Sequence, residues 1–134
     1  MNPPTAVVID DSSTSRRSLR AMLTQLGFDV VAEGERGDQA MPLFEQHRPT
    51  VLILDIVLPV MDGVTAATSL LKKHPDATVV MCSSISARDK IVACRDAGVA
   101  HFVLKPFTPE KLAAAVRGLL VKAAVPTSTS ESVQ

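Results

Sequence analysis

VVIDDSS (residues 7–13) and VLILD (residues 51–55) each carry an unbroken apolar run into aspartate, Asp10 and Asp11 in the first and Asp55 in the second. Short apolar runs without polar alternation read as strands buried on both faces, the habit of parallel sheets. Open α/β sheets place their sites at the carboxyl ends of such strands, so one rim can gather all three acids. Unit charges ~4 Å apart repel by about 4 kcal/mol at an effective dielectric near 20, so ionised acids held there need a counter-cation.

Working outward, apolar runs recur at residues 6–9, 30–32, 51–54, 79–82 and 102–104, separated by segments with helical spacing. This βα alternation predicts an α/β fold: a five-stranded parallel sheet with helices on both faces. Leu19, Met22, Leu23 and Leu26 mark the first helix, with Gly27 as its stop; Ala40, Leu43, Phe44 and His47 mark the second, ended by Pro49. Pro42, read as four or five residues into that second helix, is expected to distort it. Val64, Ala67 and Leu71 mark the third, which closes at His74 and Pro75. Ser86 and Asp89 form a candidate capping box for the fourth, stopped by Gly98; Thr108 and Pro109 open the fifth, which buries Leu112, Val116 and Leu119. The predicted organisation is an N-terminal extension at 1–5, one domain at 6–122 and a flexible Ser/Thr-rich tail at 123–134.

The chain's 134 residues make one ordinary domain, and its 14 basic and 14 acidic side chains leave no net charge and no basic run to track a nucleic-acid backbone. Cys82 and Cys94 lack the spacing of a zinc site or disulfide framework and read as buried thiols. No secretory signal and no membrane-length apolar stretch is seen, so a cytoplasmic protein is expected, with no membrane or nucleic-acid partner. His47, His74 and His101 are dispersed and read as surface or capping residues.

Mg²⁺ suits the acidic rim because it takes hard oxygen ligands, commonly one or two carboxylates together with phosphate oxygens. Lys105, ending FVLKPF, is a second and fixed cation. Carboxylates, metal and lysine together describe a phosphoryl-transfer site. Taken singly, Asp10 and Asp11 also read as helix-capping acids and Asp55 as a loop acid.

VVIDDS, LILDIVLPVMDG, VVMCSS and FVLKPFTP, in this order, resemble the receiver domains of bacterial two-component response regulators, most of all the single-domain chemotaxis (CheY-like) type. The acidic pair, the D-x-x-x-P-x-x-D-G block, the strand-end serine and the Lys-Pro pair carry the resemblance over residues 6–122. It implies a flavodoxin-like sheet of order 2-1-3-4-5. It also implies that Asp55 is the phosphoacceptor, that Asp11 ligates Mg²⁺ with Asp10 as a direct or water-mediated partner, and that the Val57 carbonyl supplies a further oxygen. Lys105 would pair with the phosphoryl group, Ser83 would donate its hydroxyl and the Ser84 amide would be a second donor. Pro106 matches the family's cis proline and Phe102 its switch aromatic. Ser83 also reads as a strand-end serine and Phe102 as an ordinary core residue. Pro59 and Gly63 frame the acceptor loop, with Met61 as packing and Asp62 as a helix cap.

The implied protein catalyses its own phosphorylation and slow dephosphorylation but is otherwise no enzyme. Its partners are a histidine kinase as donor and a downstream target such as a flagellar switch or signalling enzyme, and it works as a monomer. A phosphate sink or relay is an alternative. A flavodoxin-like nucleotide or flavin binder is disfavoured by the acids abutting SSTS, by the missing G-x-G-x-x-G and by the absence of Trp and Tyr. A metabolite phosphohydrolase lacks a second acid/base pair. Val57 and Ile85 are apolar where many family members carry polar groups, which predicts a long-lived acyl phosphate.

Overall fold

Side chains alternate with period two along the strands, and the alternation divides them between two cores. Val7, Ile9, Leu52, Leu54, Val79 and Met81 face one way; Ala6, Val8, Val51, Ile53, Val80, Cys82 and Val103 face the other. The computed structural model describes residues 3–84 and 88–124. Its elements are β1 (Thr5–Ile9), α1 (Ser13–Gln25), β2 (Asp29–Gly34), a 3₁₀ turn (Gly37–Gln39), α2 (Ala40–His47), β3 (Val51–Asp55), α3 (Gly63–Lys73), β4 (Val79–Ser83), α4 (Arg88–Asp96), β5 (His101–Leu104) and α5 (Pro109–Ala124). All paired strands are parallel, in the order β2-β1-β3-β4-β5. This is the flavodoxin-like strand order expected from the resemblance.

Helices cover both faces because each presents one apolar stripe. Leu19 and Leu23 of α1 and Leu112 and Val116 of α5 close one core. Ala40 and Phe44 of α2, Ala66, Ala67, Leu70 and Leu71 of α3, and Cys94 of α4 close the other. Cys82 and Cys94 are buried, free thiols in these two separate cores. Among the described residues no helix is long and apolar enough to cross a membrane.

Local chemistry sets the helix ends. The Ser12 hydroxyl accepts from the Ser15 amide, the Asp62 carboxylate from the Thr65 amide and the Thr108 hydroxyl from the Lys111 amide. Gly27 and Gly98 follow their helices at φ 97° and 108°, where a side chain would be strained. Pro42 needs a correction. The residues before α2 form a 3₁₀ turn, so Pro42 is only the third residue of α2, where no intrahelical bond is lost, and the helix runs on to His47.

β1 opens at Thr5, inside the expected extension, and α5 continues through Ala124, past the expected start of the tail. Residues 125–134, Ser86 of the expected capping box, Ile85 and the side chain of Leu119 lie outside the described residues.

Candidate functional site

Parallel strands end on the same edge, and four of these ends carry polar side chains. Asp10 follows β1, Asp55 closes β3, Ser83 closes β4 and Lys105 follows β5. Asp11, Asp55, Val57, Ser83, Ser84 and Lys105 line an open cleft of about 260 Å³. One carboxylate oxygen from each of Asp10, Asp11 and Asp55 lies within 4.8 Å of the others. Lys105 reaches across two strands: its Nζ donates to Asp55 Oδ2 at 2.8 Å and to Asp10 Oδ2 at 3.3 Å.

Burial makes this crowding costly. Asp10 is fully buried, Asp55 is 6% exposed and Asp11 stands exposed at the mouth. Desolvation pushes the Asp55 carboxyl above its ordinary value, aided by the Asp10 charge, while the bond from Lys105 opposes the rise. Burial alone would lower the Lys105 ammonium, but its bonds and charge pairing with Asp55 and Asp10 outweigh that and raise it. Burial and the neighbouring acids likewise push the Cys82 thiol up, leaving it protonated beneath the site.

The donor set tests what could fill the cleft. It is carboxylate oxygen throughout, which matches a hard divalent cation. Oxygens facing each other across Mg²⁺ stand ~4 Å apart, so a spread of up to 4.8 Å needs only a small side-chain movement. The residues fit Mg²⁺.

The loop after Asp55 is held close beneath the site. The Gly63 amide donates to the Ile56 carbonyl at 2.7 Å, and a methyl at Gly63 would run into the Asp55 carbonyl oxygen. Glycine is therefore the residue this turn admits. Val57 is 59% exposed, and its amide lies 3.4 Å from Asp55 Oδ1.

Other candidates stand elsewhere or face elsewhere. The Ser83 hydroxyl donates to the Ser84 carbonyl at 2.8 Å while lining the cleft. Phe102 is half-buried and packs on the core that α2, α3 and α4 cover, outside the cleft. The Lys105–Pro106 peptide is cis, and Pro106 lines a second groove of about 490 Å³ between α1 and the β5–α5 loop.

Arg16 escaped the sequence reading. Its Nη1 donates to the Asp10 carbonyl at 2.6 Å and its Nε to Glu33 at 3.2 Å. An arginine on the first turns of α1 was the available signal, but its partners, Asp10 just past β1 and Glu33 on β2, meet it only in the finished fold.

Residues 6–117 match the family model of the response regulator receiver domain. The chemotaxis protein CheY of Bacillus subtilis is 32% identical over 114 residues, covering 85% of this chain and 95% of that protein. The receiver domain of AraT, a response regulator from Geobacillus stearothermophilus, superposes with a TM-score of 0.81 at 26% identity, over 90% of this chain and 95% of that one. A CheX–CheY–BeF₃–Mg²⁺ complex from Borrelia burgdorferi superposes with a TM-score of 0.78 at 25% identity, over 92% of this chain and 91% of that one.

Proposed function

The chain belongs to the response regulator receiver domain family, and on that premise we propose that it is a cytoplasmic signalling module that accepts a phosphoryl group on Asp55 from a histidine kinase. A carboxylate oxygen of Asp55 attacks phosphorus, the bond from phosphorus to the donor nitrogen breaks, and the electron pair leaves with the donor. The product is an acyl phosphate on Asp55. Asp10, Asp11, Asp55 and the Val57 carbonyl would hold Mg²⁺, which would offset charge on the phosphoryl oxygens. The B. burgdorferi complex, with BeF₃ and Mg²⁺ named in its composition, supports this assignment of the cation.

One observation carries the reading. Lys105 bridges Asp55 and Asp10 from the far side of a cleft that opens to solvent beside Asp55. This leaves the acceptor reachable while its pairing with Lys105 favours the ionised, nucleophilic form. After transfer the ammonium pairs with a phosphoryl oxygen as a compact charge. The Ser83 hydroxyl turns from the Ser84 carbonyl to the phosphoryl group.

The groove beside Lys105, lined by Thr14, Ser15, Ser18, Met22 and Phe107, suits docking of the donor. Output uses the face of α4, β5 and α5, where Val92 and Leu104 are exposed, Arg95 and Lys111 add charge and His101 lies alongside. Movement of Ser83 frees Phe102 to repack, shifting the population between two arrangements of that face, and a target protein docks on it.

Incubation with acetyl phosphate, followed by intact mass, tests the acceptor. The parent gains one phosphoryl adduct that requires Mg²⁺, and Asp55→Asn gains none. An adduct persisting in Asp55→Asn refutes the assignment.

A further inference from the structure

Every polar atom of Asp10 is engaged. Its amide donates to the Gly34 carbonyl at 3.1 Å, Oδ1 accepts from the Ser12 amide at 2.9 Å and Oδ2 accepts from Lys105 at 3.3 Å. Its carbonyl accepts the shortest of these bonds, 2.6 Å, from Arg16 Nη1. That carbonyl belongs to the planar peptide joining Asp10 to Asp11. Holding it sets the direction in which Asp11 leaves β1.

Arg16 is itself held. Long helical side chains lean toward the helix N-terminus, which brings the guanidinium of α1 back over the end of β1. Its Nε donates to Glu33 Oε1 on β2 at 3.2 Å, and Glu33 Oε2 accepts from Arg20 at 2.6 Å. The bond and charge of Arg20, with those of Arg16, hold the Glu33 carboxyl below its ordinary value against the opposing effect of burial. The Arg16 side chain is 15% exposed, so the fork is shielded by protein. A planar guanidinium can bond a carboxylate and a carbonyl at once in fixed directions, which an ammonium cannot.

We propose that Arg16 is a positioning residue of the Mg²⁺ site, acting through the Asp10–Asp11 peptide with Glu33 as its anchor. The inference rests on the reading of the acidic rim as a Mg²⁺ site. Charge and position make opposite forecasts. A cation beside an acidic cluster opposes binding of a second cation, so by charge alone removing Arg16 tightens Mg²⁺ binding. By position it loosens binding, because Asp11 loses its fixed direction.

The test is calorimetric titration of the whole protein with Mg²⁺ alone, with two-dimensional NMR spectra to verify folding. Arg16→Ala should weaken binding roughly tenfold, within the range seen when groups that orient metal ligands are removed. Arg16→Lys, at unchanged charge, should recover only part of that loss. Arg20→Ala removes the same charge from the same cluster but leaves the Asp10 carbonyl bond in place, and should stay near the parent affinity. Arg16→Ala that binds as tightly as the parent, or more tightly, overturns the proposal. If Arg16→Ala does not fold, Arg16→Lys decides, and parental affinity there overturns it equally. Asp11→Asn separates the two levels. A parent that binds no Mg²⁺, or binds it independently of Asp11, removes the metal reading and this role with it. Asp11-dependent binding that ignores Arg16 removes this role alone.

Discussion

Two carboxylate clusters in this molecule respond to their cations in opposite ways. At the joint between α2 and α3, exposed Glu45 accepts from Lys73 Nζ and lies against His74 Nε2, each at 2.9 Å, and the Lys73 bond, then the His74 bond, lower its carboxyl to about 2. At the rim, Asp55 has a lysine at 2.8 Å, yet burial and Asp10 raise its carboxyl. Stoichiometry and solvent explain the contrast. One acid has two partners in water at the joint, whereas at the rim two buried acids share one lysine with a third, exposed acid beside them. The joint is satisfied as it stands. The rim lacks positive charge, which is the condition of a site built to receive a cation and, with it, an anion.

Replacing Lys105 separates the clusters most sharply. If the rim were a structural ion pair like the joint, Lys105→Met would cost stability and nothing else. As a phosphoryl site it should lose about 10²-fold in the rate of phosphorylation by acetyl phosphate, the usual scale for removing one charge-stabilising donor. Its Mg²⁺ affinity should be kept or improved, because a competing cation has gone. Mass spectrometry of the adduct over time and calorimetry of Mg²⁺ binding check the two halves.

Asp10→Asn inverts the ordinary expectation for a buried acid. Asparagine keeps an oxygen for the Ser12 amide and removes a charge that crowds Asp55. In the absence of Mg²⁺ the variant should be more stable than the parent by roughly 1–2 kcal/mol, a fraction of the bare repulsion at such distances. Urea unfolding in chelator measures this, and the advantage should vanish at saturating Mg²⁺. A variant less stable without Mg²⁺ would mean that the rim is satisfied.

The clusters also differ in what meets water. Val57 places an apolar side chain, 59% exposed, at the mouth of the rim, where it can shield a phosphoryl group but cannot orient an attacking water. Val57→Asn should speed loss of the phosphoryl group several-fold, followed by mass after donor removal, with Mg²⁺ affinity nearly unchanged. An equal lifetime would show that this side chain does not control hydrolysis.

What the sequence disclosed and what it hid follow from the range of each interaction. The strand ends were legible because period-two and period-3.6 patterns are local, and parallel topology then carries Asp10, Asp55, Ser83 and Lys105 to one edge. β2 extended beyond its apolar run to Asp29–Gly34 because its polar residues still pair with β1. Pro42 misled because the boundary between the 3₁₀ turn and α2 depends on packing: the Gly37 amide approaches the Pro59 carbonyl at 3.4 Å, across the neighbouring loop. Arg16 reaching Glu33, and His74 reaching Glu45 29 residues away, are contacts made only by the finished fold.

The joint supplies the smallest and most diagnostic effect. Glu45 falls from an ordinary 4.5 to about 2 in the folded protein, so the fold favours its ionised form. A lowered acid contributes stability that is complete above its unfolded value and is lost as pH falls through the folded one. Glu45→Gln should therefore melt slightly below the parent at neutral pH, and the two melting curves should converge between pH 4.5 and about 2. Because Glu45 is at the surface, added salt should shrink the difference. The sign is opposite to that expected for Asp10→Asn in chelator, although both substitutions remove one carboxylate charge. Parent and Glu45→Gln melting in parallel from neutral pH to acid would mean that the joint is not a matched cluster, and the contrast with the rim would fail on the surface side.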